Sequence, residues 1–152
     1  MEKSIKSTLI GELIFNVDCA AYQQNAGKIQ WQLDMMDEDV TIDEMIKRAE
    51  KLFICIEEFD KKAKAAIAKK LIDFKNDFWP EYDENDEFLN WDVVDAGEYD
   101  VTTAEFEKAI TLYNITIRAH DIYCEYYDGD LFGGHRIHAY FDYNYLLLSA
   151  DI

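Results

Sequence analysis

Tyr123-Cys-Glu-Tyr-Tyr-Asp-Gly-Asp-Leu-Phe-Gly-Gly-His-Arg-Ile-His-Ala-Tyr140 gathers five tyrosines or phenylalanines, three glycines, two histidines and three acids. The alternation on either side of residues 128–134 reads as two strands joined by a glycine-rich connection. Upstream, Tyr113, Ile115, Ile117 and Ala119 alternate with Asn114, Thr116 and Arg118, which adds a further strand. With His120-Asp121 as a two-residue turn, Ala119 meets Ile122, Ile117 meets Cys124 and Ile115 meets Tyr126. Every such pair is apolar or aromatic, so the register is self-consistent. The other face then carries Thr116, Arg118, Tyr123 and Glu125. Beyond the glycines, Ile137, Ala139 and Phe141 point inward and Arg136, His138 and Tyr140 outward. Residues 146–148 form a last short strand.

The N-terminal part adds more sheet. Residues 8–17 read as a strand buried on both sides, with Leu9, Leu13, Phe15 and Val17 on one face and Ile10 and Ile14 on the other. In residues 28–35, Ile29, Trp31, Leu33 and Met35 alternate with Gln30, Gln32 and Asp34, a strand with one wet face. These two are expected to form a hairpin. Thr41 and Glu44 then stand at capping-box spacing, with Val40 and Met45 placed to staple the helix start. An apolar stripe follows in helical steps from Met45 through Leu52, Phe59, Ile67 and Leu71 to Phe74 and Phe78. One helix over this stretch would be about 55 Å long, so a break is expected near residues 57–60. Pro80 closes the region. Thr102 and Glu105 repeat the capping-box spacing and open a short helix with Phe106, Ala109 and Ile110 inward.

These elements predict an α+β fold: an antiparallel sheet of about five or six strands with two central helices packed on one face. The 152 residues read as a single domain, 1–152, with an acidic insertion-like segment at 76–107. That segment holds 12 acids and no Lys or Arg, in a chain whose formal net charge is −17. Such a field repels nucleic acid and anionic membrane and attracts cations or basic proteins. Cys19, Cys55 and Cys124 are odd in number and lack motif spacing, which fits a reducing compartment better than a disulfide framework. No apolar run approaches the ~20 residues of a spanning helix, and a cytoplasmic location is expected.

The metal-ligand candidates are Asp128, Asp130, His135 and His138, with Cys124 nearby. Strand parity sends His135 and His138 to opposite faces unless the strand begins after His135. Asp128-Gly129 is accounted for by turn chemistry, and the calcium-loop spacing is missing. Cys124 sits on the predicted buried face, where a thiol is inert. No nucleophile elbow, phosphate loop or dinucleotide fingerprint occurs, so catalysis has no positive support and no cofactor is expected.

The acidic segment points elsewhere. Asp83, Glu84, Asp86, Glu87 and Asp92 surround Trp91, and aromatics within a single-sign field suit a basic protein partner. The expected function is a non-enzymatic, intracellular acidic binding module. A metal-dependent enzyme using Asp130, His135 and His138 is the alternative.

At Tyr127-Asp-Gly-Asp-Leu-Phe-Gly-Gly-His-Arg-Ile137 the chain resembles a bacterial family known as domain of unknown function 2262. The family's Gly-Asp-Leu-Phe-x-Gly-His stretch corresponds to Gly129-Asp130-Leu131-Phe132-Gly133-Gly134-His135. Gly11-Glu12-Leu13-Ile14-Phe15 and Phe59-Asp60-Lys61-Lys62-Ala63 are similar too. Gly133 stands where the family often has a larger, aromatic residue. The resemblance implies an α+β bacterial protein and brings no established activity. By analogy of type, small acidic proteins of this kind are similar to immunity proteins that neutralise toxins.

Overall fold

A computed structural model describes residues 2–25, 27–79 and 100–152. Eight strands form one sheet in simple sequence order: β1 (Ser4–Ser7), β2 (Gly11–Asn16), β3 (Ala21–Gln24), β4 (Gln30–Asp34), β5 (Thr111–Ile117), β6 (Ile122–Tyr127), β7 (Arg136–Phe141) and β8 (Leu147–Asp151). Neighbours pair antiparallel except β4 and β5, which run parallel. A parallel pair needs a crossover, and the helices supply it: α1 (Ile42–Ile54), α2 (Ile56–Phe78) and α3 (Thr103–Ala109) lie between β4 and β5 in sequence. The protein is thus α+β, with eight strands and three helices among the described residues in place of the expected five or six and two.

Several expectations are corrected in detail. The expected strand 8–17 is a hairpin arm that starts only at Gly11, with β1 paired to it from before. Strand β3 lies between β2 and β4, so those two are not hairpin partners. Four residues each, Ser-Ile-Lys-Ser and Ala-Tyr-Gln-Gln, leave β1 and β3 too short to show alternation. Ile14 is 60% exposed, so β2 has one buried face and not two.

Thr41 caps α1 as expected, its hydroxyl accepting from the Glu44 N–H at 3.2 Å. The break falls at Cys55, upstream of residues 57–60. There φ is −110° and ψ is 22°, and the Cys55 N–H bonds back to the Leu52 carbonyl at 3.1 Å. One non-helical residue suffices to re-aim the chain without Gly or Pro. At the far end of α2 the expected stripe drifts. Phe78 is 61% exposed while Lys75 is buried, and the Lys75 ammonium donates to the Trp79 carbonyl at 3.1 Å. Desolvation holds that ammonium's pKa below its usual value. Thr102 and Glu105 form the complete reciprocal capping box at the start of α3.

Helix α1 packs over β4 and β5, and α2 over β8 and α3, all on one face of the sheet. Trp31 and Leu33 of β4, Ile115 and Ile117 of β5, Cys124 and Tyr126 of β6 and Ile137, Ala139 and Phe141 of β7 are buried there. They belong to one apolar cluster with Met45, Leu52, Phe59 and Ile67 from the helices. The inward assignment of these strand residues stands. The β5–β6 register is two residues away from the expected one: Ile117 pairs with Ile122 and Ile115 with Cys124. The turn is wider than His120-Asp121, closed by Arg118 N–H to the Asp121 carbonyl at 3.0 Å. Because side chains alternate with period two, a slip of two keeps every face and changes only the partners.

Candidate functional site

The face of the sheet away from the helices is where polar chemistry gathers. Reading the register across β4, β5, β6, β7 and β8 gives one row of Gln30, Asn114, Glu125, His138 and Asp151. The adjacent row is Gln32, Thr116, Tyr123, Tyr140 and Ser149. A bulge between Leu112 and Asn114 adds one residue to β5, and that residue, Tyr113, reaches this same face. Its hydroxyl donates to Oε2 of Glu125, and its ring stacks on Tyr127 with centroids 4.1 Å apart.

Arg136 completes this corner. Its guanidinium carbon stands 5.4 Å over the Tyr113 ring, and Nη1 is 3.6 Å from Glu125 Oε2. On the other side of Glu125, the Tyr123 hydroxyl is hydrogen-bonded to Nδ1 of His138 at 2.5 Å, with the two rings nearly parallel. Burial, followed by the Glu125 carboxylate, pushes the Tyr113 and Tyr123 phenols well above their ordinary range. Both are therefore neutral at physiological pH. Asn114 is 4% exposed; its amide nitrogen donates to Thr116 Oγ1 at 3.3 Å, and its Oδ1 has no donor among the described residues.

The glycine-rich turn does different work. Asp128 is buried, and its carboxylate accepts from the backbone N–H groups of Asp130, Phe132 and Gly134 at 2.9–3.0 Å. Gly129 has φ +58°, and a Cβ there would stand 2.2 Å from the Ala109 carbonyl oxygen. A Cβ on Gly133 would meet the Trp79 ring at 3.3 Å, so Trp79 takes the space a side chain at 133 would need. Phe132 is fully buried among Phe74, Trp79 and Phe106. The turn is a plug that joins β6 and β7 to the ends of α2 and α3.

The sequence-derived metal residues are spread around this plug. Asp130 is exposed in the turn, His135 lies edge-on to Trp79, and His138 is held by Tyr123. Strand β7 does begin after His135, yet these groups do not converge. Among the described residues, the one trio whose ligand atoms lie within 4.8 Å of one another is Asp37, Asp39 and His120. There His120 Nε2 stands 3.1 Å from an Asp37 carboxylate oxygen on the surface, and the Asp39 N–H, followed by His120, lowers the Asp37 pKa. That pairing accounts for the trio. Cys124 is buried, and desolvation drives its thiol far above its usual pKa, which rules it out as a thiolate nucleophile in the folded protein.

Asp83, Glu84, Asp86, Glu87, Trp91 and Asp92 lie outside the described residues. The two flanks of their segment are described, and Asn76 ties them together. Its amide donates to the Val101 carbonyl at 3.1 Å and accepts from the Val101 N–H at 2.9 Å, the two-bond pattern of a strand pair. Within the 76–107 segment, residues 76–78 end α2 and residues 103–107 lie in α3.

Fold and turn together define an α+β protein with a sequential eight-stranded mixed sheet and helices on one side. Residues 7–152 match the family DUF2262, described as an uncharacterized protein conserved in bacteria, and the chain belongs to that family. No curated protein and no solved structure matches the chain. No helix among the described residues is long and apolar enough to cross a membrane.

Proposed function

We propose that the protein is a non-catalytic binding module for a basic protein, an immunity protein against a cationic toxin being the specific form of this reading. The observation that carries it is the concentration of 12 acids without a single Lys or Arg in residues 76–107 of a chain with net charge −17. A field of that density speeds encounter with a cationic surface, and Trp91 among the acids supplies an apolar anchor.

The test is affinity for a cationic protein partner across a salt series. Reversing Asp83, Glu84, Asp86 and Glu87 to Lys lowers the association rate by roughly tenfold or more and flattens the salt dependence. Trp91→Ala and Asp92→Lys weaken the complex further through its dissociation rate. Unchanged affinity after the four reversals removes the acidic segment as the interface.

A further inference from the structure

At one corner of the open face a cation, the Arg136 guanidinium, lies against Glu125 and Tyr113. Arg136 lays its guanidinium over Tyr113 and toward Glu125, yet at 3.6 Å the contact is too long for a hydrogen bond, and the Arg136 side chain is 61% exposed. A loosely held surface pair of this kind contributes little stability and is readily exchanged. We propose that Glu125, walled by Tyr113 and Tyr123, is a receptor for one arginine side chain of the basic partner, which displaces Arg136. This rests on the basic-partner reading above and gives that partner a defined contact within the described fold.

Two observations converge on a guanidinium. Tyr113 stacked on Tyr127 and Tyr123 stacked on His138 place aromatic rings on both sides of the carboxylate, and ring faces attract cations. Guanidinium has five N–H donors in a planar fork and no acceptor, which matches the two oxygens of a single carboxylate such as Glu125. Both phenols are held neutral by burial, so beside the flanking rings no phenolate competes with Glu125 for a cationic ligand. A lysine fits less well. Its point charge satisfies the carboxylate but neither stacks on the tyrosine rings nor reaches two acceptors at fixed spacing.

The test titrates the full-length protein with a capped Gly-Arg-Gly-Arg-Gly peptide, with its lysine counterpart and with inorganic phosphate. Affinity is read by calorimetry and location by backbone amide NMR. The expected result is arginine-peptide shifts at residues 113–116, 123–127 and 136–138, weaker binding of the lysine peptide, and no phosphate response there. Glu125→Gln, which keeps an acceptor for Tyr113, weakens the arginine peptide about fivefold. Arg136→Ala strengthens it about threefold, while Lys108→Ala, removing one charge from α3, changes it less than about twofold.

Amide shifts elsewhere, an unaltered affinity in Glu125→Gln with its thermal midpoint kept, or a response to phosphate in place of arginine overturns the receptor. The four acidic-segment reversals separate the two ideas. If they weaken binding while Glu125→Gln does not, the basic-partner reading stands and this site falls; if neither has an effect, both fall.

Discussion

The two faces of the sheet are written by alternate residues of the same strands, yet they are held by different forces. On β6, Ile122, Cys124 and Tyr126 are fully buried beneath the helices, whereas Tyr123 and Glu125 between them are partly exposed. The covered face is stabilised by apolar burial, at roughly 1.5–3 kcal/mol for each large side chain. The open face is organised by phenol–carboxylate and phenol–imidazole bonds and ring stacks, each worth about 1 kcal/mol. One face makes the fold; the other carries the polar and aromatic cluster around Glu125.

Substitutions should separate the two, beginning with the largest effect. Phe141→Ala, which empties a ring packed at 5.0 Å against Phe59, lowers stability by about 3–5 kcal/mol in denaturant titration. A loss below about 1 kcal/mol would mean that the helices do not close on this face as described. Tyr126→Phe removes a buried hydroxyl that donates to Asp60 at 3.0 Å and costs about 1–1.5 kcal/mol. Glu125→Gln on the open face costs less than about 1 kcal/mol, since the amide oxygen still accepts from Tyr113. A larger loss would make Glu125 part of the fold and not of a surface.

Alkaline pH acts on both faces with the same sign. Cys124 and Tyr126 on the covered face and Tyr113 and Tyr123 on the open face all have pKa values raised by burial. Above pH 9.0 for the thiol and 10.0 for the phenols, the unfolded chain loses protons that the folded chain retains. Stability is therefore fully present below those values and falls as pH rises past them. Urea midpoints measured from pH 8 to 11 should decline, and Cys124→Ala should remove the earliest part of the decline. The smallest effect is chemical. Cys19 is exposed and reacts with iodoacetamide in the native protein without loss of stability, while Cys124 reacts only on unfolding.

What the chain disclosed beforehand follows from the range of each interaction. Parity is local, so the inward placement of Ile115, Ile117, Cys124, Ile137 and Phe141 was legible from alternation. Pairing partners depend on turn length, and a turn wider by two residues on its β5 side shifted the β5–β6 register by two. The parallel β4–β5 contact joins residues about eighty positions apart, and no local pattern announces it. Caps were legible at Thr41 and Thr102 because a hydroxyl three residues before Glu has one short-range use. Of the open face, alternation placed Tyr123, Glu125, Arg136 and His138 outward. It did not show that a bulge would bring Tyr113 among them, which is what turns a row of surface residues into a cluster.

The Asn76–Val101 clasp has a consequence for how the helix ends are held. One side-chain amide fixes the last turns of α2 against the residue that precedes the Thr102 cap of α3, so two hydrogen bonds set the spacing of the two helix ends without any strand pairing. A change at that single amide is therefore felt at both helix ends at once.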